Sequence, residues 1–412
     1  MKTRTIPLGE AFWFQEGPGV RKWQFTTSGI KLLNVGNILL SGDLDLSKTD
    51  RCLGREEVEK RYKHFLVDEG DLVIASSGIS FDDDGLLRTR GVFVQRSHLP
   101  LCLNTSTIRF KSKGETDLHY LRFWLDSREF RSQITRRVTG SAQQNFGPSH
   151  LEDIRISLPD LSEQQRISEL LEQADRLRRT RRYALELSDT FLPAAFLQLF
   201  GKDAGGFPVS TVEDLLVEKP NAIRTGPFGS QLLHSEFTDS GIAVLGIDNA
   251  VNNKFEWAER RFITPQKYQQ LRRYTVFPGD VIITLMGTCG RCAIVPDDIP
   301  TAINTKHLCC ITLNQKRCLP IYLQGASLHH PFVRRQLGVA TKGSIMEGLN
   351  MGIIQGLRTP IPPLLLQEQF AALVARHERL RAVQRESLRQ SEHIFQSLLH
   401  GAFTTGFGAA IK

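Results

Sequence analysis

Two kinds of hydrophobic pattern alternate along the chain, and each of them occurs twice. The first is a series of short apolar runs separated by Gly, Pro, Asn and Asp, which predicts β-strands joined by turns. Such runs include LVIASSG at 72–78 and DVIITLMG at 280–287. The second pattern places apolar residues at alternating steps of three and four, which predicts an amphipathic helix with a coiled-coil seam. We therefore predict an α+β protein in which two β-rich regions each precede a long helix.

The two predicted helices have seams of the same layout. Helix one is expected to begin at Ser162, whose hydroxyl would cap the amide of Gln165, and Pro193 predicts a kink near its end. A single exposed helix that is half apolar is unstable in water, so we expect the two helices to pack against each other as a coiled coil; an antiparallel arrangement would relate the two halves by a pseudo-twofold axis. About 30 helical residues would span ~45 Å. The seam residues are Ile167, Leu170, Ala174, Leu177, Ala184, Phe191 and Ala195 in helix one, and Phe370, Leu373, His377, Leu380, Ser387, Ile394 and Leu398 in helix two.

The two halves of the chain also match residue by residue, in the same order. Asn104 and Asn304 close corresponding β-rich stretches. A match of this length indicates a tandem duplication, with a pseudo-twofold relation between the halves. The predicted segments are a β-rich domain at 1–158, a helix at 159–204, a second β-rich domain at 205–361 and a second helix at 362–412. The matching pairs are Gly17-Pro18 with Gly226-Pro227, Gly70-Asp71 with Gly279-Asp280, Gly140-Ser141 with Gly343-Ser344, and Leu158-Pro159 with Ile361-Pro362.

Composition restricts the class of protein only loosely. The 412 residues carry a formal charge of +8, which suits a polyanionic partner but is weak support for one. No run approaches the ~20 apolar residues of a membrane helix, and the N-terminal residues lack the pattern of a signal peptide. Seven scattered cysteines favour a reducing compartment. We therefore expect a cytoplasmic protein.

The sequence shows no recognisable catalytic motif. The Asn/Asp-Pro-Pro-aromatic motif of DNA methyltransferases does not occur, and the run GVATKGS at 338–344 places Lys342 before Gly343 rather than after it, unlike a P-loop. Cys289 and Cys292, with Cys309, Cys310, Cys318 and His307, suggest a zinc site. The competing interpretation is that these cysteines are small hydrophobic residues of buried strands, which we favour because the first half has no such cluster. The chain is expected to catalyse nothing by itself and to hold no metal.

The order of these elements resembles the specificity (S) subunit of type I restriction–modification systems, over essentially the whole chain. The motifs that carry the resemblance are TGPFGSQLL at 225–233, FPGDVIITLMGTCGRCAIV at 277–295, INTKHLCCITL at 303–313, and the helix junctions IRISLPDLSEQQRI at 154–167 and LRTPIPPLLLQEQF at 357–370. The first half departs from the pattern, because it has EGPGV at 16–20 in place of GPFGSQL.

The resemblance implies a function in a phage-defence restriction system. Each β-rich part would be a target recognition domain that reads one half of a bipartite site in double-stranded DNA. The helices would form an antiparallel ruler that docks two methyltransferase subunits, and motor-nuclease subunits would join for cleavage. S-adenosylmethionine, ATP and magnesium would belong to those partners. Two alternatives remain open, a coiled-coil protein-interaction scaffold and a stand-alone DNA-modifying enzyme.

Specific reading of DNA needs Arg, Lys, Asn or Gln at base edges, with phosphate contacts for position. We expect such residues in loops between the strands, and basic segments before each long helix suit phosphate. Each of them has the alternative role of an ordinary surface residue. The candidates are Lys48, Arg51, Arg55, Arg88, Arg90, Arg136, Arg137 and Ser141 in the first half, and Lys254, Arg260, Arg261, Arg291, Lys306, His307, Lys342 and Ser344 in the second.

Overall fold

The computed structural model of the chain describes residues 3–39, 41–47, 49, 51–78, 80–138, 145–203, 206–338 and 348–404. The chain divides into two compact units. Unit 1 contains Met1–Tyr183 and Glu386–Lys412, and unit 2 contains Ala184–Arg385. Each unit thus holds one β-rich region together with a part of each long helix. Among the described residues, no helix combines the length and the apolar character needed to cross a bilayer.

Unit 1 is built on two four-stranded sheets. One has the order β2–β11–β6–β9 and is antiparallel throughout; the other has the order β10–β4–β5–β3, with β10 parallel to β4. Two small antiparallel pairs, β1–β12 and β7–β8, complete the β-structure. The strands are β1 (Arg4–Pro7), β2 (Phe12–Glu16), β3 (Phe25–Thr26), β4 (Ile30–Leu32), β5 (Cys52–Leu53), β6 (Leu72–Ala75), β7 (Ser80–Phe81), β8 (Leu87–Arg88), β9 (Gly91–Phe93), β10 (Leu101–Cys102), β11 (Thr107–Ser112) and β12 (Arg155–Leu158).

The helices of unit 1 cover one side of the first sheet. Trp124, Phe130 and Phe110 are fully buried between them. Ser127 starts the second of two neighbouring helices, because its hydroxyl accepts a hydrogen bond from the amide of Phe130 at 3.3 Å. The helices are α1 (Leu8–Ala11), α2 (Arg55–Glu57), α3 (Leu118–Trp124), α4 (Arg128–Thr135), α5 (Pro148–Leu151) and the first long helix, α6 (Leu161–Ser188).

Unit 2 repeats this architecture. Its sheets have the orders β14–β21–β18–β19 and β16–β15–β20–β17, with β15 parallel to β20, and β13 pairs with β22. The internal repeat predicted from the sequence is therefore confirmed in the strand order. The elements are α7 (Phe191–Phe200), β13 (Val209–Thr211), β14 (Ile223–Thr225), β15 (Ile242–Leu245), β16 (Phe262–Ile263), α8 (Pro265–Leu271), β17 (Thr275–Val276), β18 (Val281–Thr284), β19 (Cys292–Ile294), β20 (Ala302–Asn304), β21 (Leu308–Ile311), α9 (Pro320–His329), α10 (Pro331–Gln336), α11 (Met351–Gln355), β22 (Arg358–Pro360) and α12 (Leu364–Thr404).

The predicted start of helix one at Ser162 is wrong by one residue, and the predicted cap is wrong by two. The helix begins at Leu161, and the carboxylate of Asp160 accepts hydrogen bonds from the Glu163 amide at 2.9 Å and from the Ser162 hydroxyl at 2.7 Å. Asp160 is therefore the cap, since a carboxylate near a helix N-terminus also interacts favourably with the helix dipole. The kink expected near Pro193 is an interruption at residues 189–190, and Pro193 lies in the first turn of α7, where proline is tolerated.

The long helices pack antiparallel within each unit, as predicted. In unit 1, Arg182 of α6 pairs with Glu392 of α12 at 2.6 Å, and Arg178 lies over the ring of Phe395 at 3.9 Å. In unit 2, the side chain of His377 bonds the carbonyl oxygen of Ser188 at 3.0 Å. In these contacts, earlier residues of helix one meet later residues of helix two.

The predicted seam is partly wrong. Leu177, Leu380 and Ile394 are 42%, 55% and 49% exposed, whereas Leu171 and Phe395, which we placed beside the seam, are buried. The physical reason is that each helix also packs against the globular part of its own unit. In unit 1, the ring of Phe395 contacts that of Phe123 in α3, so the buried face of α12 is turned away from the position expected for an isolated two-helix coil.

A buried aspartate–arginine pair occupies the same place in both units. Asp71 pairs with Arg109 of β11 at 3.5 Å in unit 1, and Asp280 pairs with Arg224 of β14 in unit 2. All four side chains are at least nine-tenths buried. Each guanidinium also donates a hydrogen bond to a backbone carbonyl oxygen, that of Leu66 in unit 1 and that of Thr275 in unit 2. The charges are thereby neutralised and hydrogen-bonded, as buried charges must be.

The arginine of this pair lies on a different strand in each of the two units. In unit 1, Arg109 of β11 lies opposite Gln15 of β2. In unit 2, Arg224 of the strand equivalent to β2 lies opposite Cys310 of the strand equivalent to β11. Opposite residues of an antiparallel pair project on the same face, so either strand can deliver a guanidinium to the same aspartate. The duplication has thus kept the ion pair while its arginine has changed strand.

Candidate nucleic-acid interface

The loops of unit 1 converge at one edge of its sheets, which we call loop edge 1 and define by Asn34, Arg51, Ser76, Arg90 and Ser106. The backbone amide of Ser76 donates to the carbonyl of Ser106 at 3.0 Å, and that of Ala75 donates to the carbonyl of Arg90 at 2.9 Å. The hydroxyl of Ser106 accepts a hydrogen bond from the amide of Val35 at 3.1 Å. These bonds join the loops of both four-stranded sheets, so residues far apart in sequence face the same solvent region.

Loop edge 1 contains an open polar depression of about 530 Å³. The side chain of Asn104 donates to that of Asn34 at 2.9 Å, which fixes both amides on its wall. Its wall therefore includes donors and acceptors held in fixed orientations, of the kind that can recognise a base edge or a sugar–phosphate group. The lining residues are Asn34, Val35, Gly36, Asn37, Thr49, Arg51, Asn104 and Ser106.

Unit 2 has the equivalent edge, loop edge 2, defined by Gly246, Arg261, Leu285, Arg291 and His307. The same backbone bonds recur: the amide of Leu285 donates to His307 at 2.8 Å, and that of Thr284 donates to Arg291 at 2.9 Å. The strand pairing therefore makes Arg261 the counterpart of Arg51, Arg291 the counterpart of Arg90, and His307 the counterpart of Ser106. Five of the residues predicted from the sequence are thus brought to matching places in the two units.

The two loop edges differ in charge pairing. Arg261 pairs with Asp248 at 3.2 Å and with Glu259 at 3.3 Å. Arg51 lies over the ring of Phe25 at 5.5 Å, and among the residues that the structure describes no carboxylate lies within ion-pair distance of it. Within the described part of the chain, loop edge 1 therefore presents a guanidinium without an acidic partner, and loop edge 2 presents a guanidinium held by two acids.

Loop edge 2 also carries buried polar atoms without a partner in the described part of the chain. These are the side-chain oxygen Oδ1 of Asn304, the hydroxyl of Thr305 and Nδ1 of His307. Burial, and then the charge of neighbouring Lys306, lower the pKa of His307, so its ring is neutral at pH 7. Buried polar atoms without hydrogen-bond partners destabilise the folded protein. A ligand that supplied hydrogen bonds to them would therefore bind favourably at this edge.

The other described candidates lie outside the two loop edges or have partners of their own. Arg137 donates to the carbonyls of residues 150 and 153 at 3.2 and 3.3 Å, and Lys254 pairs with Glu378 at 3.7 Å. Arg260 lies over the ring of Trp257 at 5.2 Å. Arg88, in β8, lines a depression together with residues of α6 and α12. Arg55 opens α2, Arg136 follows α4, and Lys306 is exposed beside His307.

Four candidates, Lys48, Ser141, Lys342 and Ser344, lie outside the described residues. The chain re-enters the described part beside the loop edges in both units. The amide of Phe146 donates to the carbonyl of Ser76 at 3.0 Å, and the amide of Leu349 donates to that of Leu285 at 2.9 Å. All sixteen candidates remain predictions as DNA contacts.

Sequence reasoning missed Asn34, Thr49 and Ser106 of loop edge 1 and Asp248 of loop edge 2. The match of Asn104 with Asn304 placed Ser106 opposite Lys306, one residue before its counterpart His307. The match of Asn104 with Asn304 is displaced by one residue, because the amide of Thr107 donates to Asn104 whereas the equivalent amide of Leu308 donates to Thr305. Asn104 is therefore the counterpart of Thr305.

The cysteines of the suggested zinc site lie in hydrophobic clusters. Cys292, Cys309 and Cys318 are buried in the core of unit 2, and Cys310 lies in a neighbouring cluster. Burial raises the pKa of Cys309 and of Cys318 to about 12 and also raises those of Cys292 and Cys310. A metal ligand must be a thiolate, so these surroundings suit the hydrophobic role.

We expect one thiol of the seven to react rapidly with Ellman's reagent at pH 8 in the native protein. Cys289 is the half-exposed cysteine, whereas the other six are buried. Cys289→Ser should remove the fast phase, and all remaining thiols should react in denaturant. Stoichiometric zinc in the purified protein, with a lower Tm after chelation, would contradict the hydrophobic role of this cluster.

Comparisons with known proteins agree with the duplicated fold. The solved S subunit of a type I restriction–modification system from M. genitalium has a TM-score of 0.55 at 14% identity, over 98% of this chain and 96% of that one. A structure from a study of complex assembly and conformational transition of the type I R-M system has a TM-score of 0.60 at 15% identity, over 98% of both chains. These likenesses show a common fold.

Sequence comparisons address the family. A family model described as the type I restriction modification DNA specificity domain matches residues 31–187. The type I restriction enzyme MjaVIII specificity subunit of Methanocaldococcus jannaschii is 21% identical over 353 residues, which cover 82% of this chain and 79% of that protein. Together with the motifs in both halves, these matches show that the chain is similar to specificity subunits of type I restriction–modification systems and that residues 31–187 match their DNA specificity domain.

Proposed function

We propose that this chain recognises a bipartite target in double-stranded DNA, one half through each loop edge. The observation that carries the proposal is the recurrence of the same edge in both units, with equivalent basic and polar residues at Arg51 and Arg261 and at Arg90 and Arg291. Two similar but unequal surfaces suit two half-sites of different sequence. The long helices would hold the two readers at a fixed separation, so that the bases between the half-sites are not read.

The proposal includes partners that perform the chemistry. Two methyltransferase subunits and motor-nuclease subunits would assemble with this chain, which itself would be non-catalytic. S-adenosylmethionine, ATP and magnesium would then be bound by those partners. The polar loop edges support a role in recognition, since their hydrogen-bonding groups suit base and phosphate contacts rather than a covalent step.

Mapping of methylated DNA motifs in host cells with and without this gene tests the proposal. We expect a split motif that disappears with the gene and returns on complementation. Exchange of residues 1–158 for those of a relative with another motif should change one half of the motif and leave the other half unchanged. A motif set that is independent of the gene, or DNA turnover by the purified chain alone, would contradict the proposed function.

A further inference from the structure

We propose that Arg51 is a specificity-determining residue that reads a guanine in the half-site contacted by unit 1. The inference rests on the proposed function and goes one step further, to a residue and a base. Its counterpart Arg261 would have a different role, as a positioning residue for Asp248 and Glu259. The two half-sites would then differ at the equivalent position because one guanidinium is available for DNA and the other is not.

The geometry around Arg51 orients its side chain without consuming its donors. Its backbone carbonyl accepts a hydrogen bond from the amide of Leu32 at 3.0 Å, which fixes the residue at the end of the strand pair. The guanidinium lies over the ring of Phe25, with 5.5 Å between its central carbon and the ring centroid. Stacking of this kind restricts the plane of the guanidinium while its N–H groups stay free.

The surroundings of Arg51 favour a base edge over a phosphate. A phosphate contact needs a charge and no shaped surface, whereas Arg51 lines a depression of about 530 Å³ to which three amide and two hydroxyl side chains also contribute, together with Val35 and Gly36. The Asn34 and Asn104 amides are hydrogen-bonded to each other at 2.9 Å, and Thr49 lies within 3.4 Å of Asn34. A guanidinium in such a site presents two parallel donors, and guanine presents two matching acceptors, O6 and N7, in the major groove.

In unit 2, the guanidinium at the same position is engaged in ion pairs within the protein. Arg261 donates to Asp248 from both terminal nitrogens, at 3.2 and 3.3 Å, and one of these nitrogens also donates to Glu259. Its side chain is about a quarter exposed. These donors are therefore directed to carboxylates of the same unit.

The test compares Arg51→Gln with Arg61→Gln, a matched control. Arg61 is also exposed, lies ten residues further along the chain and loses the same charge, but it is neither part of the depression nor one of the candidate DNA contacts. Each full-length variant is purified with its methyltransferase partner from host cells, after the wild-type motif has been mapped. Competition binding then uses duplexes that carry the wild-type motif or a single base-pair exchange at each position.

We expect Arg51→Gln to reduce discrimination by about tenfold or more at one G·C position of one half-site, as removal of a bidentate contact should do. Arg61→Gln should leave every discrimination ratio unchanged, and Arg51→Lys should give an intermediate loss at the same position. Unchanged discrimination at every position, or a loss at an A·T position, would overturn the inference. Either result would leave the proposed function standing, provided that the wild type recognises a split motif; circular dichroism checks that the variants are folded.

Discussion

Arg224→Gln is expected to lower the free energy of unfolding of unit 2 by about 3–5 kcal/mol, because it leaves the Asp280 carboxylate buried without its cation. Asp280 is fully buried and pairs with Arg224, while the hydroxyl of Thr312 and the amide of Phe277 donate to it. Those neutral donors do not replace a guanidinium. Amide hydrogen exchange in β18 and β21 measures the effect, and the equivalent amides of β6 and β11 in unit 1 serve as the internal control.

Because the arginine lies on different strands in the two units, a second substitution can test whether the lost ion pair can be restored from the other strand. Adding Cys310→Arg to Arg224→Gln rebuilds in unit 2 the arrangement of unit 1, where Arg109 lies opposite Gln15. We expect the double variant to regain part of the lost stability. Cys310→Arg alone should destabilise the unit, since two arginines would then share one aspartate. A double variant no more stable than Arg224→Gln would show that the two strands are not interchangeable donors of the arginine.

This ion pair also shows how far the sequence predicts the fold. The match between Gly70-Asp71 and Gly279-Asp280 identified the aspartate in both halves. It could not identify the arginines, because Arg109 and Arg224 lie on different strands and occupy different places in the repeat. Their equivalence follows from which residues lie opposite each other, and strand register depends on contacts between distant parts of the chain.

The long helices were predicted well in extent and less well in orientation. Periodicity and the duplication identified both, and the need to bury two apolar faces predicted that they pack together. Their antiparallel direction was implied by the family resemblance. The spacing of apolar residues does not show which face of a helix packs against the globular part of its unit. Ile394 was therefore placed in the seam, although it is half exposed and the neighbouring Phe395 is buried. The sequence also does not decide which residue caps α6, because Asp160 and Ser162 both have side chains that can cap a helix.

The candidate interface was the part least accessible from sequence. Basic residues in loops could be named, and Arg51, Arg90, Arg261 and Arg291 lie at matching edges. Others, such as Lys254, have partners within the protein that only the structure reveals. The polar residues of the depression around Arg51 come from segments about 15 to 70 residues apart, so no local pattern identifies them together. The internal repeat is a better guide to such residues than loop composition, because it relates loops by their position in the fold and not by residue type.

Phe196→Ala is expected to destabilise unit 2 by about 3–5 kcal/mol, because it opens a cavity where helix one joins the core of the unit. The Phe196 ring is fully buried, with ring centroids 4.7 Å from Phe200, 5.8 Å from Tyr322 and 5.2 Å from Phe370. Gly325 in α9 admits the ring, since a Cβ there would lie 2.8 Å from it. No small rearrangement can refill this site, because rings surround it from three helices.

Phe191→Ala is the matched control for this prediction. Phe191 belongs to the same helix, α7, but is 46% exposed, so its loss should cost about 1 kcal/mol or less. Urea titration followed by amide exchange in α9 and β21 separates the two variants. If they were equally stable, α7 would not be held by the core of unit 2. Since α7 is the segment through which helix one enters that core, Phe196→Ala should also weaken recognition of one half of the split motif before it affects the other, whereas Phe191→Ala should leave both halves intact.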